Sequence, residues 1–283
     1  MNRRSQILKS QKSVQKKKKK IIIIIILSSL SIIFYTLSII LFLRLEIFQI
    51  SNIYVTGVKT INVDDIKDIS MNSLNSYYLG IIPKTNIIFY SSSILKNLKE
   101  SFKKIDSLNI SRHGISGIDI DIKEKDTKAL ICSGFYGEEN QDQKCYSVDE
   151  YGFVFEESPD FSSGVFPHYY LNIDINKKII GNYIIESKLF NRLQNMFKVI
   201  ENSGIHIFGL FISDKDEYEL YIRNIDSSEA VVYFDNRTSF EDIADNLILF
   251  WNDTVLMKKN IEDIPIFEYI NLKFGNNIFY VTK

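Results

Sequence analysis

The side chains best equipped for chemistry in this sequence are two cysteines, three histidines and one row of carboxylates. His113, His168 and His206 are scattered, none with a second ligand at helical or hairpin spacing, so metal binding and acid–base work are both disfavoured. Asp119, Asp121, Glu124 and Asp126 could suit a hard cation such as Ca²⁺. They fall on an alternating run without a glycine-bearing calcium loop, which places them on the solvated face of a strand. No G-x-S-x-G turn, Walker loop or H-E-x-x-H occurs. Cys132 and Cys145 bracket a polar loop, and two thiols without nearby histidines supply half of a tetrahedral zinc shell. In an oxidising compartment a disulfide is favoured over free thiols. The expectation is a protein that is not an enzyme, with no cofactor, no metal and no small-molecule substrate.

The compartment is read from the other end of the chain. Ile21 to Leu43 is an uncharged run free of Gly and Pro, and as a helix it spans the roughly 30 Å hydrocarbon core of a bilayer. Its hydroxyl residues can bond backbone carbonyls a turn earlier and so hide from lipid. No small-residue cleavage site follows, which favours an uncleaved span over a signal sequence. The first twenty residues hold Arg3, Arg4, Lys9, Lys12 and Lys16 to Lys20 and no acid, so the N-terminus is expected in the cytoplasm and the rest outside, as a single-pass type II membrane protein. Such a tail, poor in apolar residues, is expected to be disordered. With nine of the 34 basic residues in the tail, the remainder carries 25 against 35 acids, a net charge of −10 that disfavours nucleic acid as a ligand.

Beyond the span the pattern turns to strand and amphipathic helix. Ile53 and Val55 share a strand face and Gly57 ends the run. Asn62 can cap a helix that buries Val63, Ile66, Ile69 and Leu74, and one of Ser91, Ser92 or Ser93 a second helix that buries Ile94, Leu95, Leu98 and Phe102. Leu108 and Ile110 mark the next strand. Ile118, Ile120 and Ile122 then alternate with polar residues as the cleanest strand of the chain. In the second half, Asp149 to Gly152 read as a hairpin turn, and Leu189 to Ile200 as a helix closed by Gly204. Strands are expected at 205–211, 217–222 and 230–234. Thr238 and Glu241 suggest a capping box for a helix that buries Phe240, Ile243, Ala244, Leu247, Phe250 and Trp251. Two last strands lie at 269–274 and 278–282, with a turn at 275–277.

A basic tail, one span, the Ile53-x-Val55-x-Gly57 strand, two helices and the Ile118 to Ala129 strand together resemble the FtsQ/DivIB family of bacterial cell-division proteins. The hairpin with Val148, Asp149, Gly152 and Phe155, and the terminal run from Tyr269 to Phe274, resemble further motifs of that family. Asn271 and Lys273 depart from the Asp and Arg common there, and Asp126 and Thr127 stand where a proline is usual. The resemblance implies an α+β protein with a basic tail at 1–20 and a transmembrane helix at 21–43. It also implies a POTRA-like βααββ domain at 46–127, with Ile53, Val55 and Gly57 as its motif. A mixed β-domain at 128–283 would follow, with an antiparallel sheet and packed helices.

The function so implied is a divisome scaffold in the bacterial inner membrane at the division septum. It would bind FtsB/DivIC-like and FtsL-like partners by strand addition and help control septal peptidoglycan synthesis. Carried over by position, the partner-binding residues would be Tyr269, Lys273, Phe274, Gly275 and Asn276. The alternative is a membrane-anchored cell-wall enzyme or sensor domain. A POTRA-bearing secretion component is disfavoured, because the alternating ten-residue segments of an outer-membrane barrel are too few.

Overall fold

The computed structural model describes the backbone of residues 3–283 apart from 89, 138–142, 160–164, 174–177, 214, 259–263 and 276, and the side chains from residue 18 onward except also that of 91. The chain divides into two compact units, Met1–Ser101 with Ser107–Lys123, and Phe102–Asp106 with Glu124–Lys283.

The first unit opens with helix α1, Arg3–Leu43. Its stretch Lys18–Leu43 has a mean hydropathy of 2.5 and is long and apolar enough to cross a membrane, with none of its most apolar window buried. The hydroxyls of Ser28, Ser29 and Thr36 donate to carbonyls three residues back, each at 2.9 Å, which satisfies them within the helix. The expected disorder of the tail is corrected, since the helix runs back to Arg3. Lys, Arg, Gln and Leu are strong helix formers, and extending an existing helix avoids the cost of nucleation.

After α1 come strand β1 (Asn52–Thr56), helix α2 (Val63–Leu74), a miniature hairpin of β2 (Tyr77–Tyr78) and β3 (Ile82–Pro83), helix α3 (Ser91–Ser101), and strands β4 (Ile105–His113) and β5 (Gly117–Glu124). The three long strands form a sheet in the order β1-β5-β4, with β1 parallel to β5. Ile53 lies opposite Ile118 and Val55 opposite Ile120, so the alternating isoleucines are buried. A Cβ on Gly57, at φ +81°, would sit 2.2 Å from the Ile122 carbonyl oxygen, so only glycine fits there. Asn62 caps α2 by accepting the Asp64 N–H at 3.0 Å. The amide of Asn97 on α3 donates to the buried Ser73 hydroxyl of α2 at 2.8 Å, a helix-to-helix bond that apolar periodicity does not reveal. The β2–β3 turn places Leu79 at φ +50° and Gly80 at φ +70°. Positive φ costs a residue such as leucine about 1 kcal/mol.

The carboxylate row is only partly solvated. Asp119 faces His113 at 3.1 Å, and Asp121 accepts the Thr56 hydroxyl at 3.0 Å. Glu124 is 3% exposed, with the Lys104 ammonium 4.0 Å away, which corrects its expected place on a wet face. At the end of β5 the partner charge, rather than water, stabilises the carboxylate.

The second unit is built on one nine-stranded sheet. Its strands are β6 (Ala129–Ser133), β7 (Cys145–Val148), β8 (Val154–Glu157), β9 (His168–Leu171), β10 (Ile207–Ile212), β11 (Glu217–Arg223), β12 (Glu229–Asp235), β13 (Phe267–Phe274) and β14 (Asn277–Thr282). Helix α4 (Ser187–Asn202) lies between β9 and β10 in the chain, and α5 (Phe240–Trp251) between β12 and β13. The order across the sheet is β14-β13-β12-β11-β10-β9-β6-β7-β8. The expected antiparallel sheet is corrected to a mixed one, because β9 runs parallel to both β6 and β10, and β12 parallel to β13. Each helix is the crossover that parallel neighbours require.

The main core holds Phe190, Leu193, Phe197 and Ile200 of α4, Phe240, Ile243 and Leu247 of α5, and the sheet residues facing them. The cap of α5 is Ser239, whose hydroxyl accepts the Asp242 N–H at 3.0 Å. The helix therefore starts one residue later than Thr238 and Glu241 suggest. At the β7–β8 turn, Asp149 accepts the N–H groups of Tyr151 and Phe153 at 2.9 and 3.0 Å and holds Lys125 at 2.6 Å. Gly152 is required because a Cβ there would meet the ring of Phe190 at 2.9 Å.

Candidate strand-docking edge

Strands β13 and β14 are the sheet's last two. β13 is paired on both sides, to β12 and β14, whereas among the described residues β14 pairs with β13 alone and ends the strand order. An edge strand offers unpaired N–H and C=O groups to an incoming extended segment. The opposite edge, β8, is partly occupied: Val154 exchanges backbone hydrogen bonds with Asn182 and Gly181 at 2.9 and 2.8 Å. Glu156 and Glu157 also place charge there. Apolar side chains instead line the β14 edge, where Phe279 is 55% and Tyr280 50% exposed.

The residues carried over from the resemblance lie beside this edge rather than on it. Tyr269 is half-buried with its ring 5.9 Å from that of Tyr233. Lys273 reaches Glu217 at 3.1 Å. Phe274 is exposed and meets Phe279 edge to face at 5.3 Å, and Gly275 turns the chain at φ +63°. Asn276 lies outside the described residues. Because the backbone of β13 already serves two neighbours, a strand added here would pair with Asn277–Thr282.

Several residues of the edge escape the sequence reading. Tyr280 packs on Phe250 of α5 and Phe267 of β13, with ring separations of 5.3 and 5.6 Å, and so seats β14 on the core. The turn end of the hairpin is tied by Arg237, which bonds Asp235 and donates to the Lys273 carbonyl at 3.2 Å. The Arg237 hydrogen bond holds the Asp235 carboxyl below its ordinary range. An Asp-x-Arg pair at a strand end is a usable but weak signal in sequence.

The sheet face opposite α4 and α5 carries a row in register from β6 to β14: Cys132, Tyr170, Phe211, Glu219, Tyr233, Asn271 and Phe279. Cys132 and Cys145 are disulfide-bonded across β6 and β7. The loop they bracket lays Phe135 on Phe211 at 4.4 Å and Tyr136 against Tyr221 at 4.5 Å. Tyr136 donates to Glu229 at 2.6 Å, and burial with that bond pushes its hydroxyl pKa well up. One end of this face is thus covered and the β14 end is not.

Among the described residues no group of three His, Cys, Asp or Glu is placed to hold a metal. A cavity of about 260 Å³ beside the start of α4 is lined by charges of both signs, Glu186, Asp216, Lys188 and Arg192, with Arg192 stacked over Phe240 at 4.7 Å. Tyr218, Asn236 and Thr238 complete its polar lining.

The fold and edge define a mixed α/β protein with one long apolar N-terminal helix and several sheets packed with helices. Among known proteins, no family model matches the chain and no curated sequence matches it.

Proposed function

We propose that the chain is a single-pass membrane scaffold of the FtsQ/DivIB type, anchored by α1 with its basic end in the cytoplasm, that takes up an extended segment of a partner along β14 outside the membrane. The partners are FtsB/DivIC-like and FtsL-like proteins, and the assembly governs septal peptidoglycan synthesis. The observation that carries this reading is the outward-facing β14, apolar in side chain and single-sided in pairing. The strand-helix-helix-strand-strand order of the first unit, with β5 between β1 and β4, supports a POTRA-type assignment.

The test is co-purification from native membranes of the intact chain, of a chain ended at residue 276, and of the Phe279→Asp variant. Ending the chain before β13 would remove Phe267, Ile270 and Leu272 from the core and confound folding with binding. Both changes are expected to release the partner, while the disulfide and the first unit persist. Retained partner in both would move the docking site elsewhere. A fluorescent fusion spread evenly around the envelope, with normal septation on depletion, would end the divisome reading itself.

A further inference from the structure

The β2–β3 hairpin does not enter the scaffold reading, and its tip is built against local preference. Leu79 is 96% exposed, the most exposed of the described large apolar residues outside α1, and it sits at positive φ before Gly80, where Asn would suit both the turn and water. Tyr77 and Ile81 beside it are exposed as well. A residue that is wrong for its turn and wrong for water points to another surrounding medium.

The hairpin is fastened to the end of the apolar helix. Arg44, the first residue past Leu43, donates to the Ile81 carbonyl from Nε at 3.0 Å and from Nη2 at 2.8 Å. The buried Asn86 donates to the Leu43 carbonyl at 2.7 Å, and Gln49 donates to the same oxygen at 3.1 Å. These side chains satisfy carbonyls that a helix end leaves open. Backbone bonds from Ile50 to Thr85 and from Ile87 to Phe48, at 2.8 and 2.9 Å, complete the clamp. Leu79 is two residues from Ile81 and so within about 7 Å of it. Each interfacial layer of a bilayer is roughly 6 Å thick. If α1 spans, that layer lies within the tip's reach. Lys84, over the Tyr78 ring at 5.4 Å, adds the cation and aromatic pairing suited to headgroup depth.

We infer that the β2–β3 hairpin inserts Leu79, with Tyr77 and Ile81, into the interfacial layer of the bilayer at the C-terminal end of α1, fixing the orientation of the first unit on the membrane. The inference rests on the reading of α1 as a span. The two native cysteines are bonded to each other, so a cysteine introduced alone can be labelled with an environment-sensitive fluorophore. The full chain would be reconstituted in phosphatidylcholine–phosphatidylglycerol vesicles as Leu79→Cys, Tyr77→Cys, Phe34→Cys within α1, and Asp65→Cys at the start of α2. Spin-labelled headgroups are expected to quench the probes at 79 and 77 several-fold more than that at 65, and iodide several-fold less. Spin-labelled acyl chains are expected to quench the probe at 34. If 34 is quenched while 79 and 77 behave like 65, the hairpin inference falls and the span stands. If 34 is not quenched either, the span reading falls and takes the inference with it.

Discussion

Arg237 donates twice to one carboxylate oxygen of Asp235, from Nε at 2.8 Å and from Nη2 at 2.5 Å, and the same guanidinium reaches the Lys273 carbonyl at 3.2 Å. One ion pair thereby ties the end of β12 to the end of β13, beside the turn into β14.

That tie should be acid-sensitive. Asp235 titrates below its ordinary 3.8, chiefly through the Arg237 hydrogen bond. A depressed carboxyl contributes stability that is complete above about pH 3.8 and lost as pH falls through the lower folded value. Amide exchange in β13 and β14 of Asp235→Asn should be several-fold faster than in the native chain at pH 6. The two should converge as the pH is lowered past 3.8, and a constant difference would show that the carboxylate charge is not what matters.

The Asp149 carboxylate should matter more to stability than any exposed pair. It joins Lys125 at 2.6 Å with both partners largely buried, and it accepts two turn N–H groups. Asp149→Ala leaves a buried ammonium and two donors unmet, a loss of about 3 kcal/mol. Denaturant unfolding of the full chain in detergent measures it, with exposed Lys96→Ala of the Lys96–Glu100 pair expected within about 0.5 kcal/mol of native.

Tyr169 carries a hydroxyl that gains nothing. Its ring is fully buried between Phe190 and Phe197, with centroids at 5.3 and 5.2 Å, and its oxygen has no hydrogen-bond partner among the described residues. Burial drives its pKa far up. Tyr169→Phe should leave stability equal or raise it by about 1 kcal/mol. Tyr169→Ala should cost about 4 kcal/mol by opening a cavity. Thermal unfolding of the two variants separates ring from hydroxyl.

His168 sets a second pH window. Burial lowers its pKa from 6.5, opposed in part by its ring hydrogen bond to the Phe166 carbonyl at 2.8 Å. The folded state therefore prefers the neutral ring. Stability is complete above about pH 6.5 and falls as pH drops toward the folded value, with a slope of at most about 1.4 kcal/mol per pH unit from one group. Unfolding midpoints at pH 7.5 and 5.5 should differ less in His168→Gln than in the native chain.

Local signals made much of the fold legible. The Ile118, Ile120 and Ile122 alternation, the Leu189 to Ile200 periodicity and the turn chemistry of Asp149 and Gly152 are each decided within one element, and those elements form where expected. Strand β9 was not legible, because its four residues His168–Leu171 lie buried between two parallel neighbours and show no clean alternation. The mixed sheet was hidden for a related reason: whether α4 and α5 return the chain parallel or antiparallel depends on packing across the sheet, not on either helix's own pattern.

The candidate edge divides in the same way. Composition near the C-terminus marks two strands and a turn, while Tyr269 to Gly275 are singled out through the family resemblance. That β14 rather than β13 keeps an open side follows only from strand order, which is a relation among segments up to 150 residues apart. The sequence by itself determined the apolar helix, the basic tail, the pairs of residues with reactive potential and most local elements, because these follow from side-chain type and short-range periodicity. Tertiary structure decided that Glu124 is buried and ion-paired, that Cys132 meets Cys145, that Arg237 ties Lys273, and that Arg44 holds the Ile81 carbonyl. Each of those depends on long-range contacts between segments whose individual patterns do not name their partners.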